Sequence, residues 1–169
     1  NKLASWRYAL GQKNTIKGSR KNIALHYDLG NDFYERMLDP TMTYSCGIFA
    51  TTESTLEEAS LAKYDRIIDQ LEITPEHHVL EIGCGWGGFA HRRAERTEAK
   101  LTATTISESQ HQYAVDRIRE NGWEDRVSIV KQDYRNLSGE YDRIVSIEMI
   151  EAVGQEYLPS YFSKISDLL

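Results

Sequence analysis

Ten residues, Val79 to Gly88, constrain this chain more than any others: Val-Leu-Glu-Ile-Gly-Cys-Gly-Trp-Gly-Gly. An apolar pair runs into an acid, Glu81, and then into Gly83, Gly85, Gly87 and Gly88, after which a helical pattern opens at Phe89. Glycines at alternate positions directly behind a strand let the backbone turn sharply and approach another group closely. The helix that follows points its free N–H groups at whatever occupies the turn. A strand–turn–helix of this kind sits at the carboxyl edge of a sheet, and the rest of the chain has to supply that sheet.

The flanking pattern does so. Residues 54–71 read as a helix: Ser54 and Glu57 have capping-box spacing, and Leu56, Ala59, Leu61, Tyr64, Ile67, Ile68 and Leu71 recur at helical intervals. Pro75 marks the stop, and a first strand is expected over 78–82. Beyond the turn, 88–97 read as a helix and 101–106 as a β-branched second strand. Ser107 and Gln110 offer another capping box, opening a helix to Asn121 with Gly122 in the position just past its end. Third and fourth strands are expected at 127–131 and 141–147, and a last helix at 155–168, with Pro159 near its first turn, where it is tolerated. Residues 1–50 are irregular apart from a short helix near 32–38, with turn signals at Gly18-Ser19, Gly30-Asn31 and Asp39-Pro40.

Alternating helices and strands with short connections predict an α/β fold, a parallel sheet with helices on both faces. In a 3-2-1-4 strand order the fourth strand would be an edge, yet 143–147 is about as apolar as a central strand. An exposed apolar edge is an association hazard. The expectation is therefore that further strands lie beyond this chain, or that a second copy pairs there to form a homo-oligomer. The ending at Leu168-Leu169, inside a helical pattern, points to a fragment.

The 169 residues suffice for one domain with a real core. No apolar run approaches the roughly 18 residues of a membrane span, and the N-terminus lacks the apolar stretch of a signal peptide. Cys46 and Cys84 stand outside any CxxC pattern, which argues against a disulfide framework or a metal site and fits a reducing cytoplasm. Net charge is −6 but uneven: residues 1–27 hold Lys2, Arg7, Lys13, Lys17, Arg20 and Lys21 with no acid, which leaves −12 on the remainder. With Trp6 and Tyr8 among them, these residues suit an arm at an anionic membrane surface, so a peripheral place on the inner membrane face is one expectation; a solvated linker is the plainer alternative. The acidic body repels phosphate, and no nucleic-acid partner is expected. The organisation expected is a basic arm and active-site cap over 1–53 and a cofactor-binding domain over 54–169.

The turn leaves two cofactor classes open. Gly83-x-Gly85-x-x-Gly88 matches the dinucleotide fingerprint, but that fingerprint wants a ribose-binding acid closing strand two. Here strand two closes on Thr104-Thr105-Ile106-Ser107, and Glu108 falls in the next helix's first turn, where the helix dipole favours acids anyway. Glu81 favours a different ligand. A buried acid needs a partner, and the amino group of S-adenosylmethionine can supply one. The acid-x-Gly-x-Gly-x-Gly form of the turn is met by Glu81, Gly83, Gly85 and Gly87.

Beyond the turn, the chain resembles the cyclopropane-fatty-acyl-phospholipid synthase family, S-adenosylmethionine-dependent enzymes that modify acyl-chain double bonds. The resemblance rests on NIALHYDLGNDF at 22–33, LDPTMTYSCGIF at 38–49, VLEIGCGWGGFA at 79–90, TTISESQ at 104–110, QDYRNL at 132–137 and DRIVSIEMIEAVG at 142–154. It implies a Rossmann-like class I methyltransferase. It also implies that Tyr44 and Ser45 contact the cofactor, that Gly83 to Gly87 lie against its methionine portion, and that Thr105, Ile106 and Gln110 take the place of the ribose acid. Asp133 would accept from the adenine amine while Tyr134 offers an apolar face. A bound bicarbonate would be the catalytic base, held here by Cys46 and Glu151. The acceptor implied is an unsaturated phospholipid acyl chain, and the product a cyclopropane ring.

The family's remaining bicarbonate ligands, a His and a Tyr, lie further downstream than this chain reaches. Residues 152–169 hold no His, and His26 belongs to the N-terminal block. The chain by itself is therefore expected to turn over weakly or not at all. A small-molecule N- or C-methyltransferase and a non-catalytic cofactor-binding or membrane-associating module remain as alternatives, because one fold hosts many acceptors.

Overall fold

A computed structural model describes residues 30–169 together with Gly18. The basic arm, its membrane contact and most of the 22–33 block lie outside the described residues. The elements are α1 (Asn31–Met37), α2 (Leu56–Gln70), β1 (His78–Ile82), α3 (Gly88–Arg96), β2 (Lys100–Thr105), α4 (Glu108–Glu120), β3 (Val127–Lys131), β4 (Arg143–Val145), α5 (Ile150–Val153) and α6 (Leu158–Leu168). Single 3-10 turns stand at Tyr134–Asn136 and Gln155–Tyr157.

All strands run parallel in the order β3-β2-β1-β4, as the alternating pattern predicts. Period-two alternation sorts β1 between two cores. Val79 packs with Tyr64 and Ile68 of α2, Phe89 and Ala94 of α3, and Ile118 of α4. Leu80 and Ile82 point the other way, into a core with Val153 of α5 and Tyr161 and Leu168 of α6. Helices thus cover both faces. Glu81 shares its parity with Val79 and so faces the side of α3.

Three local expectations shift. The box that opens α2 is Thr55 with Glu58, not Ser54 with Glu57: Thr55 Oγ1 accepts from the Glu58 amide at 3.2 Å and Glu58 Oε2 from the Thr55 amide at 2.8 Å. The run Ser-Thr-Leu-Glu-Glu offers both registers, and Ser54 Oγ instead accepts from the Thr51 amide. At Ser107, only half the expected box forms. Its hydroxyl accepts from the Gln110 amide, but the Gln110 side chain turns to Thr105 instead. Strand β4 is three residues long, not seven. Ser146 spends its hydroxyl on Ile82 O at 3.1 Å, and the chain then swings through Glu148 at a φ of 46°. That swing makes room for α5, which apolar periodicity alone did not foretell.

The cap segment reaches the sheet through side chains. Trp86, in the middle of the glycine turn, is 2% exposed and donates Nε1–H to Asn31 Oδ1 at 2.9 Å. Its ring lies 4.7 Å from that of Tyr34, which in turn meets Tyr44 edge-on at 5.7 Å. Thr43 bonds the Tyr64 hydroxyl at 2.7 Å, and Arg117 donates to Thr41 O at 2.9 Å. These contacts lay residues 31–46 across the carboxyl ends of the strands.

Candidate functional site

A cavity of about 820 Å³ opens under that segment, at the carboxyl ends of β1, β2 and β4. Its floor is the glycine turn. Gly83 has a φ of +82°, and a Cβ there would come within 2.9 Å of Met149 Sδ. Gly85, at +55°, presents its backbone to open space on the side where a Cβ would stand. Both therefore have to be glycine for the turn to hold this shape and leave the space above it clear. The amides of Gly83 and Cys84 donate to Thr104 O at 3.0 and 2.8 Å, which ties the turn to the end of β2.

Eleven of the thirteen residues singled out by sequence line this one cavity: Tyr44, Ser45, Glu81, Gly83, Gly85, Thr105, Ile106, Gln110, Asp133, Tyr134 and Glu151. Gly87 does not. It is the left-handed residue ahead of α3, and a Cβ there would meet Ala114 Cβ at 3.0 Å, so it serves helix packing. Cys46 is exposed and lies outside the lining.

Glu81 is the most informative side chain. It is 3% exposed, and its Oε2 has no hydrogen-bond partner among the described residues. Burial raises its carboxyl pKa to about 8, with the Arg93 guanidinium pulling the other way. Arg93 is itself buried, donates to Ala99 O, and is brought down to about 10 by desolvation. A buried carboxyl with an unused oxygen beside a cavity is a seat for a cationic or N–H-bearing ligand group. An ammonium fits it, and the glycine backbone above it has room for a nucleoside. The residues present therefore suit S-adenosylmethionine.

The flanking groups are held before any ligand arrives. Gln110 is buried and accepts from Thr105 Oγ1 at 2.9 Å, so one lone pair of its amide oxygen is spent within the protein. Asp133, 2% exposed, accepts from Arg135 Nε at 2.8 Å and from Arg135 Nη2 at 2.6 Å. Asp133 Oδ1 also accepts from the Arg135 amide at 3.1 Å, so Arg135 fixes the carboxylate in orientation from both backbone and side chain. Tyr134 meets Tyr161 edge-on at 5.2 Å, and burial raises the pKa of its hydroxyl.

Two residues missed by sequence reasoning also belong to this region. Glu148 lines the cavity, and its Oε1 accepts from the Cys46 amide at 2.8 Å, across 102 positions of sequence. The nearby carboxylate also pushes the pKa of the Cys46 thiol up. Lys63, buried in α2, donates to Ser45 Oγ and to Cys46 O, the latter at 2.7 Å. Burial lowers the pKa of its ammonium, against the pull of Glu148. A lysine four residues after Ala59 on the packed face of a helix was a signal available in the sequence. Glu148 stood beside Glu151 in Ile-Glu-Met-Ile-Glu, and nothing local says which acid turns toward Cys46. It is Glu148 that does so, and Glu151 lines the cavity from the first turn of α5. A bicarbonate held through Cys46 does not fit this arrangement, because the Cys46 amide already serves the Glu148 carboxylate, whose charge repels a second anion.

Parallel sheet, glycine turn and cavity together define a Rossmann-like class I methyltransferase fold. The chain belongs to the family described as mycolic acid cyclopropane synthetase, which matches residues 14–169. It is 44% identical over 140 residues to the cyclopropane-fatty-acyl-phospholipid synthase of Escherichia coli, covering 83% of this chain and 35% of that protein. It is 43% identical over 160 residues to the tuberculostearic acid methyltransferase UfaA1 of Mycobacterium tuberculosis, covering 89% of this chain and 37% of that protein. The structure of mycolic acid cyclopropane synthase CmaA1 complexed with SAH and CTAB superposes with a TM-score of 0.85 at 33% identity, over 89% of this chain and 53% of that one. The chain thus spans a little over a third of the curated relatives' length. No described helix is long and apolar enough to cross a membrane.

Proposed function

We propose that this chain is the cofactor-binding part of an S-adenosylmethionine-dependent transferase that adds a one-carbon unit to the double bond of an unsaturated phospholipid acyl chain, closing a cyclopropane ring. The observation that carries the reading is the unused Glu81 oxygen beside the glycine turn, at the floor of a cavity large enough for a nucleoside and more. S-adenosylmethionine, when bound, supplies an electrophilic sulfonium methyl. The chain's own residues do the rest. Glu81 receives the ammonium, and Gly83 and Gly85 give the backbone room for the methionine portion. Thr105 and Gln110 face the ribose, while Asp133 and Tyr134 flank the base. Tyr44 and Ser45, on the overlying segment, close the site from above and exclude water. An alkene is a weak nucleophile, so alignment and a dry site matter more here than for an amine acceptor.

The lipid acceptor is supported by exposed apolar side chains between residues 33 and 56. Phe33, Met37, Ile48, Phe49 and Leu56 are all exposed, and Leu56 also lines the cavity. An acyl chain can run along such a surface without exposing its methylenes to water. The relative named for methyl transfer matches as closely as the one named for ring formation, and this favours a second reading in which the product is an open methyl or methylene group.

Mass spectrometry of lipids from cells expressing the full-length protein tests both. Monounsaturated chains heavier by one CH₂ and inert to mild alkene oxidation support the ring. The same gain with a surviving double bond supports the second reading, and unchanged lipids count against both.

A further inference from the structure

We propose that Glu148 is the proton acceptor of this site: a carboxylate built into the chain, standing where a separate anion would otherwise be recruited. The inference rests on the lipid-modifying reading above and deepens it. Closing a three-membered ring needs a base. Once the transferred carbon has bonded to one alkene carbon, the neighbouring carbon is cationic. The electron pair of one C–H bond of the new methyl then closes the ring onto that carbon, and its proton has to leave. An oxygen base within hydrogen-bond reach of that methyl is what the step requires.

Three observations point to Glu148. First, it lines the same cavity as Glu81, Gly83 and Tyr44, on the wall that also holds Ile147 and Met149. Second, it is held in place. Its Oε1 accepts from the Cys46 amide at 2.8 Å, and Lys63, bonded to Ser45 Oγ and Cys46 O, sets a positive charge nearby. Third, the backbone is bent to put it there. Glu148 has a φ of +46°, a left-handed conformation that a side-chain-bearing residue rarely adopts and that persists where the surroundings impose it.

The charge state suits the role. Partial burial pushes the Glu148 pKa up, but the thiol and amide of Cys46 and the Lys63 ammonium outweigh it, and the net shift is below the ordinary carboxylate value. Glu148 is therefore ionised at neutral pH and has a proton site free. Taking the proton leaves a neutral carboxylic acid, which returns the proton to water when product leaves. An incoming anion would meet this negative charge and find the Cys46 amide in use. Glu151, on α5, lines the cavity but makes no bond to Cys46.

The test uses the full-length protein, vesicles of monounsaturated phospholipid and labelled S-adenosylmethionine. Glu148→Gln keeps an oxygen to accept from the Cys46 amide but cannot take a proton. The expected result is an S-adenosylmethionine affinity, by calorimetry, within threefold of the unsubstituted protein, with turnover lower by about 10²–10⁴-fold. The unsubstituted protein should keep its rate in carbonate-free buffer. Glu148→Gly, which relieves the backbone and opens an anion-sized space, should regain part of the lost rate on adding formate or bicarbonate. Turnover by Glu148→Gln within threefold of the unsubstituted protein overturns the inference, as does loss of the unsubstituted protein's rate when carbonate is removed. If the unsubstituted protein labels no lipid at all, the lipid reading fails first and this inference falls with it.

Discussion

Glu81→Gln should weaken S-adenosylmethionine binding by about 10- to 100-fold, the 1.5–3 kcal/mol typical of a hydrogen bond to a charged group, while leaving the ligand-free protein at least as stable as before. The two halves of this expectation come from one fact. Glu81 is buried, and one of its oxygens has no partner until a ligand brings one. Its carboxyl pKa stands at about 8 in the folded chain, against about 4.5 when exposed. Folding therefore takes up a proton between those limits. The contribution of this group to stability is complete below about pH 4.5 and is lost as pH rises toward 8, at up to about 1.4 kcal/mol per unit. Ligand-free protein should melt at a falling temperature across that window, and Glu81→Gln should flatten the trend. Binding reverses the preference. An ammonium set against Glu81 favours the carboxylate, so association near pH 6 should release a proton. Calorimetry in two buffers of different ionisation enthalpy reads that release directly. A Glu81→Gln protein that binds as tightly as the unsubstituted one, with the same proton count, would remove Glu81 from the site.

Trp86→Ala should cost about 3–5 kcal/mol in denaturant unfolding, the range for deleting a large buried aromatic. Trp86 is at once the side chain of the glycine turn and the anchor of the overlying segment. Its ring packs on Tyr34 with Met42 in the same cluster, and Nε1 holds Asn31. Truncation leaves a cavity between the turn and the cap, and it strips α1 of its side-chain tie to the sheet. The segment 31–46 should then become the first site of proteolytic cleavage, and cofactor affinity should fall with it, because Tyr44 and Ser45 ride on that segment. A loss under 1 kcal/mol with unchanged cleavage would mean that the Thr43–Tyr64 and Arg117–Thr41 contacts hold the cap without Trp86.

What the sequence made legible was local or periodic. β3 was placed to the residue, since Val127–Lys131 is a short apolar run between turn signals. Gly122 was placed just past α4, where it takes a φ of +67° that only glycine adopts freely. The 3-2-1-4 order followed from short parallel crossovers, and eleven residues of the cavity followed from the turn together with the family likeness. What stayed hidden was set by tertiary geometry. The Thr55–Glu58 box and its one-residue neighbour look alike in sequence. β4 ends early because Ser146 and Glu148 find partners far along the chain, in Ile82 and Cys46. No spacing rule links residue 148 to residue 46, and no propensity announces that a glutamate will take a positive φ. Lys63 was visible as a charge on a packed helix face, yet what it would bind was not, because Ser45 and Cys46 meet it only once the cap is folded over α2.

All of this depends on a single ligand at the end of β1. Titration of the full-length protein with S-adenosylmethionine in a calorimeter, with NAD as the parallel titrant, tests it most directly. The account predicts one equivalent of S-adenosylmethionine bound, a proton released near pH 6, and no heat from NAD. No binding of S-adenosylmethionine, or preferential binding of NAD, would contradict it.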